Sequence, residues 1–169
     1  ATVDNLANAY LEKDDHNEAL KLYRRALDGM EKSLGPDHPD TLRTVNNLAL
    51  LRKDMGDNDE ALRLYRRAMG GMEKKLGLQN STTLITMNNL ACLHRDVGNY
   101  DEAHKLYQQV LASRETIFGP DHAKTLVTVN NLASVHMRMN NCNEALKLGV
   151  GRQRKEPRTR PSRHAGNGR

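Results

Sequence analysis

The chain has 169 residues and a net charge of +5; 37% of its residues are apolar, only 4% are aromatic, and none is Trp. So few large apolar side chains favour many small helix interfaces over one deep core. There is no run of roughly eighteen apolar residues, so no membrane-spanning helix is predicted. Cys92 and Cys142 lie far apart in sequence, and we expect reduced thiols rather than a disulfide framework. No leader sequence is visible either, which predicts a cytoplasmic protein.

The positive charge lies at the C-terminus. Residues 149–169 hold six Arg and one Lys against Glu156, whereas residues 1–148 have a net charge of −1. Because this tail has no aromatic and few apolar residues, we expect it to be disordered. Clustered Arg residues neutralise phosphates, so the tail is a candidate arm for binding nucleic acid or an acidic surface. The simpler interpretation, which we favour, is an inert terminus or sequence outside the natural domain.

A repeat of 42 residues organises the rest of the chain. The hexamer Thr-Val-Asn-Asn-Leu-Ala, or a close variant of it, starts at residues 2, 44, 86 and 128. A second block keeps the same register and reads NEALKLYRRAL at 17–27, DEALRLYRRAM at 59–69, DEAHKLYQQVL at 101–111 and NEALKLG at 143–149. Two independent blocks with one period exclude coincidence. The repeats are therefore predicted to cover residues 1–34, 35–76, 77–118 and 119–148.

Each repeat is predicted to form two helices, A and B, and the second repeat shows the pattern in chain order. Asp37-His38-Pro39 restarts a helix, because a carboxylate suits the N-cap region and Pro suits the first turn. Helix A follows the apolar spacing of residues 39–55 and ends at Gly56. Helix B carries an apolar stripe from Ala61 to Met72. Such a hairpin cannot bury its faces alone, so neighbouring hairpins must stack into an α-solenoid.

The fourth repeat departs from this pattern. Gly149 and Gly151 follow Leu148 where helix B should continue, and each Gly costs about 1 kcal/mol in a helix relative to Ala. We therefore predict an all-α fold of three complete helical hairpins plus a truncated fourth over residues 1–148. Terminal repeats need a polar cap for solubility, so self-association through the exposed end is a further hypothesis.

The residues of the first repeat resemble the tetratricopeptide repeat. Its pattern of Leu-Ala followed by an aromatic residue, then Ala-x-x-x-Tyr-x-x-Ala, is met by Leu6, Ala7, Tyr10, Ala19, Tyr23 and Ala26. The 42-residue period with GPDHP and TVNNLA is similar to the longer subtype found in kinesin light chains and nephrocystin-3-like proteins. HEAT and armadillo repeats have comparable periods, but they lack the Ala and Tyr signature. The resemblance implies a right-handed α-solenoid that is a non-enzymatic interaction scaffold.

The paired Asn residues lie at the edge of the packed face of helix A. Stacking aligns them along one side of the array, as Asn5, Asn46, Asn47, Asn88, Asn89, Asn130 and Asn131. A carboxamide has two donors and an acceptor, so such a row can clamp an extended peptide backbone without dictating its side chains. The resemblance implies that these positions line a concave groove for a protein or peptide partner. The alternative is that the Asn side chains satisfy polar groups at inter-repeat junctions and contact no ligand.

Charged residues beside this row would set specificity. The resemblance to kinesin light chains implies peptides with acidic residues around an aromatic residue, and it raises an adaptor role that links cargo to a motor. Lys53 and Arg95 are the candidate contacts for such acids, although Asp54 and Asp96 lie beside them in sequence. The sequence has no heptad coiled coil through which a light chain would join a motor, so we do not expect this segment alone to recruit one.

No catalytic or metal-binding motif is present. His38 and His122 recur in the inter-repeat turn, where the third repeat has Asn80, and His94 and His136 occupy a packing position on helix A. Neither pair has ligand spacing with Cys, Asp or Glu. No phosphate loop, nucleophile elbow or zinc-protease motif occurs. We therefore predict no enzyme activity, no cofactor and no metal.

Overall fold

The computed structural model describes residues 16–139, which form six α-helices in an α-solenoid of stacked helix-turn-helix repeats. The helices are α1 (His16–Ser33), α2 (Pro39–Asp54), α3 (Asn58–Leu76), α4 (Ser81–Asp96), α5 (Tyr100–Phe118) and α6 (Ala123–Arg138). They are helix B of the first repeat, both helices of the second and third, and helix A of the fourth. The two other helices predicted from the sequence, together with Asn5, Cys142 and the basic tail at 149–169, lie outside the described residues.

Side chains and glycines define the helix ends. Helices α2, α4 and α6 begin after His38, Asn80 and His122, whose side chains accept hydrogen bonds from the backbone N–H two residues later, at 3.2, 2.9 and 3.1 Å. The recurring His is therefore an N-cap for which Asn substitutes, and the capping atom is the imidazole Nδ1 rather than the expected Asp37 carboxylate. Gly56 and Gly98 follow the A helices with φ of +82° and +85°, a conformation that favours Gly.

Small and aromatic side chains alternate in the core. The predicted Ala positions on the A helices, Ala49, Ala91 and Ala133, are fully buried, as are Ala19, Ala61 and Ala103 on the B helices. Tyr65 and Tyr107 fill the space between them and are also fully buried. Helices α2 and α3 are tightly packed at Gly71, because a Cβ atom there would lie 2.6 Å from Leu42 Cδ1. The core is thus a series of narrow seams between successive helices.

Consecutive A helices lie closer together than consecutive B helices. The backbone of α4 lies next to those of both α2 and α6, in addition to its contacts with α3 and α5. Within residues 16–139, the backbones of consecutive B helices lie farther apart than those of consecutive A helices. The solvent-accessible sides of α2, α4 and α6 therefore form the inner surface of the array, called the inner face below. None of the helices in residues 16–139 combines the length and apolar content needed to cross a bilayer.

Candidate functional site

The structure places the paired Asn side chains on the inner face, in one row across three A helices. Asn46 is 7% exposed, Asn130 is exposed, and the others are half-buried. The helical period places each Asn pair at the edge of the seam, because the apolar residues next to the pair enter the seam. Six of the seven Asn residues named from the sequence are therefore brought together. The seventh, Asn5, lies outside the described residues.

Hydrogen bonds between carboxamides connect the row from repeat to repeat. Asn89 Nδ2 donates to Asn46 Oδ1 at 3.3 Å, and Asn131 Nδ2 donates to Asn88 Oδ1 at 3.4 Å. The second Asn of each pair thus reaches back to the first Asn of the preceding repeat. This pairing is the structural role that the sequence left open as an alternative to ligand binding.

The pairing uses only part of the hydrogen-bonding capacity of the row. Asn47 Oδ1 accepts from Asn46 Nδ2 at 3.3 Å, and Asn88 Nδ2 lies 3.8 Å from Cys92 Sγ. Within residues 16–139, Asn47 Nδ2 and the Oδ1 atoms of Asn89 and Asn131 have no hydrogen-bond partner. The row therefore presents donors and acceptors to solvent at intervals of one repeat, in addition to those that join the repeats.

Lys53 and Arg95 meet at one carboxylate. Lys53 Nζ lies 2.8 Å from Asp96 Oδ2, and Arg95 Nη2 lies 2.9 Å from Asp96 Oδ1. Partial burial raises the pKa of the Asp96 carboxyl, but the hydrogen bonds from Lys53 and Arg95 outweigh this effect and hold the pKa below its ordinary value. The predicted cationic contacts are thus both paired, and Asp96 links helix A of the third repeat to helix A of the second.

A pocket of about 180 Å³ opens beside the Asn row, at the seam of α4, α5 and α6. Its wall is mainly apolar and includes Leu84, Ile85, Phe118 and Val127, with Asn88 at one side. Ile85 and Val127 are about half exposed, at 48% and 52%. An apolar concavity with a few polar groups is the usual form of a ligand site, which makes this pocket part of the candidate site.

Arg114 lines the same pocket and is not among the site residues predicted from the sequence. Its residue exposure is only 7%, and Nη1 donates to Lys124 O at 2.8 Å and to Thr128 Oγ1 at 2.7 Å. Burial lowers the pKa of the Arg114 guanidinium. The missed signal was its repeat position, which Met30 and Met72 occupy in the two preceding repeats. A charged residue at a repeat position that is apolar in the other repeats indicates that this position has a different role.

The histidines do not form a metal site in the described part of the chain. His94 and His136 are buried, as predicted for packing residues, and the His136 ring lies edge-on to His104 with centroids 4.8 Å apart. Across residues 16–139 no group of three or more His, Cys, Asp and Glu side chains is arranged to hold an ion. Cys92 is a free thiol whose Sγ accepts a hydrogen bond from the Tyr107 hydroxyl at 3.0 Å.

The family model of the tetratricopeptide repeat matches residues 1–74, 45–116 and 82–149. Among solved structures, the "putative kinesin light chain nearly identical TPR-like repeats" of Podosopora anserina are similar, with a TM-score of 0.81 and 25% identity, over 86% of this chain and 69% of that chain. BtubC (BKLC) from P. vanneervenii is similar with a TM-score of 0.77 and 20% identity, over 97% of this chain and 68% of that chain. No curated protein sequence matches.

Proposed function

Since this chain belongs to the tetratricopeptide repeat family, whose arrays are protein-interaction scaffolds, we propose that its inner face binds an extended segment of a partner protein. The Asn row clamps the backbone of that segment, and the side chains beside the row select its sequence. The similarity to kinesin light chain repeats supports an adaptor role in the cytoplasm, in which the array connects the partner to a larger assembly. Arrays of this kind are non-enzymatic, and we propose no catalytic step.

The observation that supports this proposal is the uncommitted hydrogen-bonding capacity of the row. The Asn89 and Asn131 amides are anchored by their bonds to the preceding repeat, so their free Oδ1 atoms are held in place before a ligand arrives. Asn47 adds a free amide donor, and Asn130 is exposed. A row preorganised in this way loses little side-chain freedom on binding a backbone, which favours affinity.

Within residues 16–139, Asn89 and Asn131 form hydrogen bonds between repeats, whereas Asn47 and Asn130 do not, and the test uses this difference. We would screen a library of fluorescent peptides by anisotropy and compare the wild-type chain with an Asn47→Ala/Asn130→Ala variant. Neither substitution removes a hydrogen bond between repeats in the part of the chain that the structure describes, residues 16–139. We expect at least a tenfold loss of affinity for the peptides that bind, with a smaller fall in melting temperature than Asn89→Ala causes, because the hydrogen bond lost joins Asn46 and Asn47 within one repeat. The matched control is Asn89→Ala, which removes an inter-repeat bond and is expected to lower the melting temperature.

Two results would contradict the proposal. One is a library without any peptide that binds the wild-type chain. The other is a set of peptides whose affinity is unchanged in the Asn47→Ala/Asn130→Ala variant, which would leave inter-repeat pairing as the sole role of the row.

A further inference from the structure

Three residues that differ from their repeat equivalents meet at the seam of α4, α5 and α6. Ser81, Arg114 and Lys124 all line the cavity at this seam. The equivalent residues at the preceding seam, of α2, α3 and α4, are Pro39, Met72 and Thr82. None of those equivalents carries a charge, and position 39 has no hydroxyl. A serine hydroxyl and two cations thus occur together at one seam of the array.

The Ser81 hydroxyl is accessible and has no structural task. Ser81 is the first residue of α4 and is exposed. The cap of this helix is Asn80, whose Oδ1 accepts from the backbone N–H of Thr82 at 2.9 Å. The Ser81 hydroxyl itself has no hydrogen-bond partner within residues 16–139. Its oxygen is therefore free to react, at a helix terminus where a negative group is stabilised by the helix dipole.

Arg114 provides a second feature, independent of the helix terminus. The residue is more than nine-tenths buried, and its Nη1 donates only to neutral acceptors, Lys124 O and Thr128 Oγ1. No carboxylate within residues 16–139 forms an ion pair with it. A buried cation without a counter-ion is costly. Nε and Nη2 have no acceptor within residues 16–139, and this edge of a guanidinium takes two oxygens of one anion.

We propose that Ser81 is a phosphorylation site and that its phosphate pairs with Arg114 and Lys124 across the seam. A protein kinase transfers the phosphoryl group from a nucleoside triphosphate. The bond from Ser81 Oγ to the γ-phosphorus forms, the bond to the bridging oxygen of the departing nucleoside diphosphate breaks, and the hydroxyl proton is released to solvent. The phosphate then joins the N-terminus of α4 to α5 and α6. This inference goes beyond the proposed function, because it requires no partner peptide.

The charge and size of the cavity suit a phosphate. A phosphoserine carries a charge of about −1.5 to −2 and three acceptor oxygens. The residues that line the cavity include two cations and no carboxylate, and Lys124 Nζ lies 5.1 Å above the Phe118 ring. The volume of about 180 Å³ is several times the roughly 30 Å³ of a water-sized group, so three added oxygens fit. Phosphorylation would thus supply the counter-ion that Arg114 lacks.

The first test installs phosphoserine at position 81 during expression of the full chain and titrates it by phosphorus NMR. The second pKa of a free phosphoserine is about 6. Arg114 and Lys124 are the charged groups of the lining, and both favour the dianion, so we expect this pKa to fall by about 1. The Arg114 Nε–H resonance should shift on phosphorylation. The melting temperature at neutral pH should rise by about 3 °C. This rise should shrink as the pH falls through the lowered pKa, because the unfolded chain then binds protons more readily.

The preceding seam supplies the matched variants. Arg114→Met and Lys124→Thr introduce the residues found there, and we expect both to keep the wild-type circular dichroism spectrum. The fall in phosphate pKa should be mostly lost in Arg114→Met and partly lost in Lys124→Thr. Phosphoserine in place of Pro39 is the control for the helix terminus alone, since Pro39 is the first residue of α2 and its seam has no cation at the equivalent positions. We expect a smaller fall in pKa there than at position 81.

The second test measures whether the folded chain is phosphorylated at Ser81. A panel of purified serine and threonine kinases is supplied with ATP, and the modified residues are mapped by mass spectrometry. We expect phosphate at Ser81 and none at this position in Ser81→Ala. Ser113 is the internal control, because it is half-buried within α5 and should stay unmodified in the folded chain.

The outcomes that would overturn this inference are distinct from those that bear on peptide binding. Equal phosphate pKa values at positions 81 and 39, or a fall in pKa that survives in Arg114→Met, would overturn it. So would a phosphorylated chain that melts at a lower temperature than the unmodified one, or a panel in which no kinase modifies Ser81. None of these measurements involves a peptide or the Asn row, so the proposed function stands or fails separately.

Discussion

At the scale of single residues, the Asn pairs show how one carboxamide forms hydrogen bonds with two neighbouring residues. Asn46 accepts from Asn89 of the next repeat and donates to Asn47 of its own pair. The sequence predicted that these residues share a face, because the helical period and the 42-residue repeat fix their positions. It did not predict that the second Asn bonds back to the first, because that depends on how far adjacent A helices are shifted along their axes.

Asn89→Ala tests the structural part of this arrangement. The substitution removes the donor to Asn46 Oδ1, and Asn46 is only 7% exposed. A buried acceptor left without its partner costs about 1–3 kcal/mol, so we expect the free energy of unfolding to fall by about 1 kcal/mol. Urea denaturation followed by circular dichroism measures the change. Asn130→Ala is the control and is expected to stay within about 0.5 kcal/mol of wild type. Equal effects of the two substitutions would contradict the prediction.

Two of the three buried tyrosines in residues 16–139, Tyr65 and Tyr107, form a second matched pair. The Tyr107 hydroxyl donates to Cys92 Sγ at 3.0 Å. The buried Tyr65 hydroxyl has no hydrogen-bond partner among residues 16–139, and Leu50 occupies the position equivalent to Cys92. Burying a hydroxyl without a hydrogen bond costs about 1–3 kcal/mol. We therefore expect Tyr65→Phe to raise the free energy of unfolding by about 1 kcal/mol and Tyr107→Phe to lower it by about 0.5–1 kcal/mol. Thermal melts of both variants check this, and a stabilised Tyr107→Phe would refute it.

At the scale of helices, most boundaries could be read from the sequence, and most contacts could not. Helix A of the second repeat was expected at 39–55 and is found at Pro39–Asp54, because Pro39 and Gly56 mark its ends. The imidazole caps were missed, since a His in a turn gives no sign of which atom it offers to the backbone. Gly71 was missed for a similar reason, because its effect depends on Leu42 in the partner helix.

Gly70 and Gly71 in α3 are adjacent in sequence but differ in surroundings. A Cβ atom at Gly71 would lie 2.6 Å from Leu42 Cδ1, whereas at Gly70 nothing lies within 4 Å. Leu42 is fully buried, so its side chain would have to shift within the seam to admit the new methyl group. We expect Gly71→Ala to destabilise the fold by about 1–3 kcal/mol through overpacking. Gly70→Ala should stabilise it by about 0.5–1 kcal/mol through helix propensity. Urea denaturation of both variants tests this, and stabilisation by both would contradict it.

Two histidines with lowered pKa values, His104 in α5 and His94 in α4, predict that the stability of the fold depends on pH. Burial, together with the nearby His136 ring, lowers the pKa of His104 below its ordinary value of 6.5, although Asp101 opposes this effect. Burial and the charge of Arg66 lower the pKa of His94 in the same direction, against Glu102. The unfolded chain therefore binds protons more readily than the folded one. Stability should be complete above pH 6.5 and fall as the pH falls through and below that value.

Melting temperatures between pH 5 and pH 8 measure this dependence. The control is His104→Leu, since Leu62 occupies the equivalent position in the second repeat. We expect the variant to lose less stability than wild type on acidification. A wild-type curve that rises toward low pH, or an identical slope in the variant, would be inconsistent with this account.

At the scale of the whole molecule, the described part of the array, residues 16–139, is held together by contacts between neighbouring repeats. The Asp96 carboxylate is the charged example, since it joins Lys53 of the preceding repeat to Arg95 of its own. The sequence identified all three residues, but it did not show that one carboxylate would occupy both cations. Those cations can contact an acidic ligand only in competition with Asp96.

Asp96→Asn is expected to release this competition. Anisotropy with a fluorescein-labelled oligoglutamate peptide should show tighter binding than to wild type, and the gain should shrink as salt is added because salt screens exposed charges. Loss of stability should stay below about 1 kcal/mol, as for other partly exposed ion pairs. Asp54→Asn is the control, because Asp54 is exposed and forms no ion pair within residues 16–139. Unchanged peptide binding in Asp96→Asn would show that Lys53 and Arg95 do not face the ligand.

The residues at the equivalent positions 30, 72 and 114, which are Met, Met and Arg, can also be compared through their codons. A Met codon, ATG, and an Arg codon, AGG, differ by a single base. Thr44 and Thr86 donate to the Met Sδ atoms, and the equivalent Thr128 accepts from the Arg114 guanidinium. One point mutation in one copy of a duplicated repeat therefore suffices to place a charge in an inter-repeat seam while the other copies keep their original packing. Tandem duplication gives such a chain several nearly equivalent places in which a new binding preference can arise without loss of the fold.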